Sequence, residues 1–122
     1  MQTNQISRED VEKILAVKAV LEKRYYNRFT HQDLALMVGT NERKLRRDFK
    51  IVHSKTINAY QTEVRIDKAK ALLENSDLSL KVISIQVGLD KSNLVKTFKR
   101  LTGVTPMQWR VNCQRGVFVS GN

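Results

Sequence analysis

The sequence predicts an all-α fold built from two helix-turn-helix modules. Three observations carry this. Apolar residues recur at three- and four-residue intervals along most of the chain, the helical period. Cap residues and left-handed turn glycines punctuate those runs. A block of the sequence also repeats without a gap at an offset of 88 − 39 = 49 residues. At that offset Leu34 pairs with Ile83, Val38 with Val87, Gly39 with Gly88, Leu45 with Leu94 and Arg47 with Lys96. Phe49-Lys50 pairs with Phe98-Lys99, Thr56 with Thr105 and Tyr60 with Trp109. The identities fall on turns and apolar positions, so both copies are expected to fold alike.

Residues 1–6 are polar and expected to fray. Ser7 with Asp10 reads as a capping box. Val11, Ile14, Leu15, Leu21 and Tyr25 then support a helix over 7–26, read as a support for the first module; a connection to a further domain is the alternative. Thr30 and Asp33 form another capping box and open a helix over 31–38, with His31 on its surface. Gly39-Thr40-Asn41 is a turn. A helix over 42–52 points Leu45 and Phe49 inward and crowds Arg43, Lys44, Arg46, Arg47 and Lys50 on its other faces, opposed by Glu42 and Asp48 alone. Like charges this close repel, which makes sense if a phosphate backbone neutralises them.

His53-Ser54-Lys55 breaks the pattern. The longest helix is expected over 57–74, with Ile57, Tyr60, Val64, Ala69, Leu72 and Leu73 as its inward stripe. At 1.5 Å per residue it would span about 27 Å, enough to act as a stiff spacer. Asn75-Ser76-Asp77 ends it, and the second module begins near Leu80. Ile83 and Val87 share a face of a short helix that Gly88 can end. Asp90 caps the next helix, where Leu94, Phe98 and Leu101 are read as inward. Lys91, Ser92, Asn93, Lys96, Lys99 and Arg100 are left on other faces. Thr105-Pro106-Met107-Gln108 opens the last helix with a threonine cap, a first-turn proline and a box-closing glutamine. The resulting domain reading is 7–55 for the first helix and first module, 56–75 for a linker helix, 76–113 for the second module and 114–122 for a tail.

The chain has 122 residues, with 22 Lys and Arg against 12 Asp and Glu, a net charge of +10. That balance favours a polyanionic partner, although simple solubility would also account for it. One cysteine, Cys113, cannot form an internal disulfide, which suits a reducing cytoplasm. The polar start resembles no signal peptide, and no apolar run approaches a membrane span. Two separated histidines and one cysteine make no recognisable metal site or triad, so neither an enzyme nor a cofactor is expected. A single-strand or RNA binder would want exposed aromatics, whereas here they fall on inward stripes. A membrane-surface protein would want apolar residues on the exposed side of its basic helices.

These residues resemble the AraC/XylS family of transcription regulators in its two-module DNA-binding domain. The matching signature is Arg65-Ile66, Ala69 and Leu72-Leu73, then Ile83 with Val87-Gly88, then Leu94, Lys96 and Phe98-Lys99. It closes with Gly103-Val104-Thr105-Pro106 and Trp109-Arg110. In the first module Leu34-Ala35, Gly39, Leu45, Arg47, Phe49-Lys50 and Tyr60 match. Residues 10–112 are covered. The chain departs at Leu89, where phenylalanine is common, at Ser54, where glycine is usual, and at Ser84, where alanine is usual. Its second turn is also one residue shorter than the family's.

The resemblance implies seven helices, with the third and sixth as recognition helices and the fourth joining the modules. It implies a sequence-specific regulator of transcription on double-stranded DNA, leaning towards activation, with RNA polymerase as a further partner. Matched by position, Arg43, Arg46, Arg47, Ser92, Asn93 and Lys96 would reach base edges. Lys44, Lys50, Lys91, Lys99, Thr105 and Arg110 would touch phosphate. Arginine can hold guanine O6 and N7 bidentately, and asparagine can hold adenine. Unlike faces on the two helices imply a monomer on an asymmetric site. The length leaves open a small self-sufficient regulator or an excised DNA-binding domain.

Overall fold

The computed structural model describes residues 6–116 and contains seven helices there. They are α1 (Arg8–Lys23), α2 (His31–Val38), α3 (Glu42–His53), α4 (Ile57–Asn75), α5 (Leu80–Gln86), α6 (Lys91–Thr102) and α7 (Pro106–Gln114). The expected fray at the start and most of the expected tail lie outside the described residues. The chain divides into two compact units, Met1–Val64 and Arg65–Asn122. The division falls inside α4, so each half of that helix goes with one module.

Short-range side-chain chemistry sets nearly every helix start. The hydroxyl of Ser7 accepts the Asp10 N–H at 3.0 Å, and that of Ser79 accepts the Val82 N–H at 3.2 Å. Asn41 and Asp90 cap α3 and α6 by accepting from the N–H groups of Lys44 (2.8 Å) and Asn93 (2.7 Å). Reciprocal boxes form at Thr30–Asp33 and Thr105–Gln108. The caps extend the repeat, since Thr30 and Ser79, Asn41 and Asp90, and Thr56 and Thr105 each stand 49 apart. Each such cap contributes about 1 kcal/mol.

The first unit is held by Ile14, Val17, Leu21, Leu34, Ala35, Leu45, Phe49 and Ile57. In the second, Ile66, Ala69, Leu73, Ile83, Val87, Leu94, Phe98 and Trp109 are buried. Leu45, Phe49, Leu94 and Phe98 are fully enclosed. Truncating either phenylalanine to alanine would cost about 3–5 kcal/mol. Phe98 meets Trp109 edge-on at 5.6 Å, and Phe49 meets Tyr60 at 5.9 Å, so the repeat also preserves an aromatic pair in each module.

Four expectations about packing change. Helix α1 ends at Lys23 rather than near 26, because the chain turns there and the Asn27 N–H bonds the Arg24 carbonyl. Leu15 is half exposed, and Val17 takes the inward place between Ile14 and Leu21. Leu101 is 43% exposed rather than inward. Four residues after Phe98, it is Thr102 that continues the inward line, its hydroxyl 2.8 Å from the Phe98 carbonyl. On α4 the buried apolar residues are Ile57, Ile66, Ala69 and Leu73, beside a buried Arg65, while Tyr60, Val64 and Leu72 are half-buried. One stripe along this helix was expected; its two halves instead serve two cores.

Candidate nucleic-acid interface

The two helix-turn-helix turns are built the same way. After α2, Gly39 sits at φ +75° and the Thr40 N–H returns to the Ala35 carbonyl at 2.9 Å. After α5, Gly88 sits at φ +80° and the Leu89 N–H returns to the Ser84 carbonyl at 2.9 Å. Left-handed backbone costs least at glycine, so the turn demands that residue. Each turn delivers the chain to a capped helix whose leucine and phenylalanine are enclosed. That anchoring leaves the opposite face of α3 and of α6 outward.

On α3, Arg43, Arg46, Arg47 and Lys50 are exposed; on α6, Lys91, Ser92, Asn93, Lys96 and Lys99 are exposed. An open groove of about 470 Å³ is lined by Asn41, Arg43, Lys44 and Arg47 at the start of α3. A larger groove of about 650 Å³ between Asn27–Phe29 and Asp33, Leu36 and Met37 holds one arginine and one aspartate, and so has no strong charge of either sign.

The electrostatics of the two faces differ. The Asp48 side chain is only 3% exposed; its oxygens accept from Lys44 Nζ and from Arg47 Nε, both at 3.2 Å. Lys44 Nζ also donates to Asp10 Oδ2 on α1 at 2.7 Å. This hydrogen bond holds the Asp10 carboxyl below its ordinary value against the opposing effect of burial, and raises the Lys44 ammonium. Arg46 pairs with Glu42 one turn earlier. Three of the five cations of α3, Lys44, Arg46 and Arg47, thus already have a carboxylate partner within the protein, while Arg43 and Lys50 have no ion pair among the described residues. On α6 no acidic residue is present, and Lys91, Lys96, Lys99 and Arg100 have no ion pair among the described residues.

Three residues expected to touch phosphate have partners within the protein. Arg110 is 9% exposed, donating from Nε to the Leu73 carbonyl (3.1 Å) and from Nη2 to the Ser76 carbonyl (3.0 Å). It closes the end of α4, whose last carbonyls would otherwise lack partners. Lys44 is committed to two carboxylates and ties α1 to α3. At Thr105, the capping box uses the N–H groups of Thr105 and Gln108, and Pro106 has none. Met107 therefore supplies the one uncommitted amide among these four residues. Asn93 keeps its outward place, although its Nδ2 already donates to Asp90 Oδ2 at 2.9 Å. Sequence reasoning named Glu42 and Asp48 as the charges opposing the basic face without assigning their partners, and it missed Asp10. The four-residue spacings Lys44–Asp48 and Glu42–Arg46 were the available signal.

A protein-family model described as a helix-turn-helix domain matches residues 34–112, more than half the chain. A transcriptional activator named RhaR from Salmonella arizonae is 45% identical over 71 residues, which is 57% of this chain. A crystal structure of a Chromobacterium violaceum transcriptional regulator, described as having an AraC-type DNA-binding domain, superposes with a TM-score of 0.78. The chain belongs to the AraC-type helix-turn-helix family. This AraC-type domain covers 93% of the Chromobacterium chain with 84% of its own length, at 23% identity. The C-terminal domain of the two-component response regulator yesN from Fusobacterium nucleatum is 28% identical, with a TM-score of 0.74, covering 79% of this chain and 95% of that one. The DNA-binding domain of AdpA, solved with a target DNA, has a TM-score of 0.79 at 22% identity, covering 85% of this chain and 96% of that one. The AraC-type domain spans about a quarter of the length of the curated relatives it matches.

Proposed function

We propose that this AraC-type domain reads double-stranded DNA by sequence and regulates transcription, as an activator. The observation that carries the proposal is the pair of like-built modules, each holding a capped helix with an outward basic face. A helix fits the major groove, where each base pair presents a distinct pattern of donors and acceptors. Arg43, Arg46 and Arg47 on α3 are the base readers of the first module, and Ser92, Asn93 and Lys96 on α6 those of the second. Lys50, Lys91 and Lys99 grip phosphate.

The two faces differ in chemistry, so the preferred site is asymmetric and takes one molecule, with α3 and α6 in successive major-groove segments. Working in the cytoplasm at the nucleoid, with RNA polymerase as a further partner, fits an activator. RhaR, named a transcriptional activator, and the AdpA domain, solved with its target DNA, support this reading.

The test is selection from a random duplex library, followed by anisotropy titration of the selected site across salt concentrations. A selected asymmetric sequence is expected, bound one to one, with log K falling by about 0.9 per phosphate contacted for each unit of log[salt]. Inserting half a helical turn between the two contacted segments should abolish most of the preference. Tighter binding to single-stranded DNA or RNA of equal length would overturn the proposal.

A further inference from the structure

We propose that Glu42 sets the discrimination of the first module, by holding Arg46 in an ion pair whose carboxylate repels sequence-independent phosphate contact. This rests on the DNA-reading function proposed above. Glu42 opens α3 and its carboxylate accepts from Nη1 of Arg46, one turn on; both side chains are about half exposed. A guanidinium has five N–H donors in a planar fork. With Nη1 held by Glu42, the edge carrying Nε and Nη2 remains available, which is what a guanine O6/N7 pair requires. Glu42 therefore orients Arg46 without consuming it.

Phosphate contact is a different exchange. A phosphate on the open edge comes up beside the Glu42 carboxylate and is repelled by it, and one competing for Nη1 only replaces one anion by another. Guanine O6 and thymine O4 would likewise repel that carboxylate, whereas the cytosine N4 amino group would donate to it. Non-cognate duplex thus gains little from Arg46, and a site with guanine in reach of the open edge gains a bidentate contact.

The second module lacks this arrangement. At the 49-residue offset, Lys91 stands where Glu42 stands, Val95 where Arg46 stands and Thr97 where Asp48 stands. The net charges of the two helices are close: α3 has five cations less two anions, +3, and α6 has four cations and no anion, +4. Their arrangement differs, with ion pairs on α3 and none on α6 among the described residues. The carboxylate check on phosphate contact at Arg46 is therefore a property of α3 that α6 has no counterpart for.

The test compares wild type with Glu42→Gln and Glu42→Ala on the selected duplex and on random duplex, each across salt. Glu42 is exposed, so helicity by circular dichroism should persist in both variants. Releasing Arg46 is expected to raise random-duplex affinity about two- to fivefold, the strength of an exposed pair. It should steepen the random-duplex salt slope by about 0.9. The ratio of selected to random affinity should fall by at least the same factor, about two- to fivefold. Lys91→Gln should instead weaken binding to both duplexes by the same factor. An unchanged ratio and slope in the Glu42 variants, or equal weakening on both duplexes, would overturn the inference while leaving DNA reading intact. Failure of the wild type to select any sequence would instead defeat the proposed function itself.

Discussion

Replacing Arg110 with alanine separates a structural arginine from a DNA-binding one. The side chain makes two hydrogen bonds, 3.1 Å to the Leu73 carbonyl and 3.0 Å to the Ser76 carbonyl. A hydrogen bond from a charged donor contributes about 1.5–3 kcal/mol, and a buried carbonyl left without a donor costs a comparable amount. Two such bonds set a ceiling of about 6 kcal/mol. Ser76 is only half-buried, so water recovers part of the loss, and a destabilisation of about 2–3 kcal/mol is expected. For a unit of this size that lowers the thermal midpoint by roughly 10–15 °C. Trp109 is the sole tryptophan and lies in the same unit, its indole N–H donating to Glu74 at 2.9 Å. Its fluorescence in a urea titration therefore reports the second unit directly. Arg110→Lys keeps the charge but not the planar fork, and should recover only part of the stability. Duplex affinity of the folded variant, measured in the cold, should match wild type. An unchanged urea midpoint with a salt slope shallower by about 0.9 would show that Arg110 touches phosphate and that its buried role is wrong.

Three further outcomes are expected. Ser54 ends α3 at φ +61°, where its repeat counterpart Gly103 has φ +88°; Ser54→Gly should stabilise the first unit by about 0.5–1 kcal/mol, and a lowered thermal midpoint would contradict this. His53 stacks on Tyr60 and meets Phe49 at a tilt, with its buried Nε2 unbonded, and burial, reinforced by Lys18 and Lys55 against Glu22, lowers its pKa from 6.5. The unfolded chain then takes up the proton first, so this part of the stability is complete above about pH 6.5 and is lost as pH falls through the lower folded-state value. Urea midpoints between pH 5 and 8 should show that decline in wild type and lose it in His53→Phe; equal pH profiles would refute the assignment. Lys96→Ala should weaken binding to the selected site by about 1–3 kcal/mol and random duplex less, while Lys99→Ala weakens both equally in the same anisotropy assay; the reverse pattern would exchange their roles.

Much of this domain is determined by its sequence alone. Caps at Thr30, Asn41, Asp90 and Thr105, left-handed glycines at 39 and 88, and the enclosed pairs Leu45–Phe49 and Leu94–Phe98 act over three to five residues. Their physics is local, and the ungapped repeat lets each module check the other. The tertiary structure decided what each charge does. Arg110 looked like a basic residue on the last helix, but its carbonyl partner at Leu73 lies 37 residues away. Lys44 looked like one cation among five, but Asp10 reaches it from a helix 34 residues earlier. A long basic side chain has the same local propensity whether it meets a phosphate, a carboxylate or a helix end. Only the placement of distant backbone and carboxylate groups around it chooses among them.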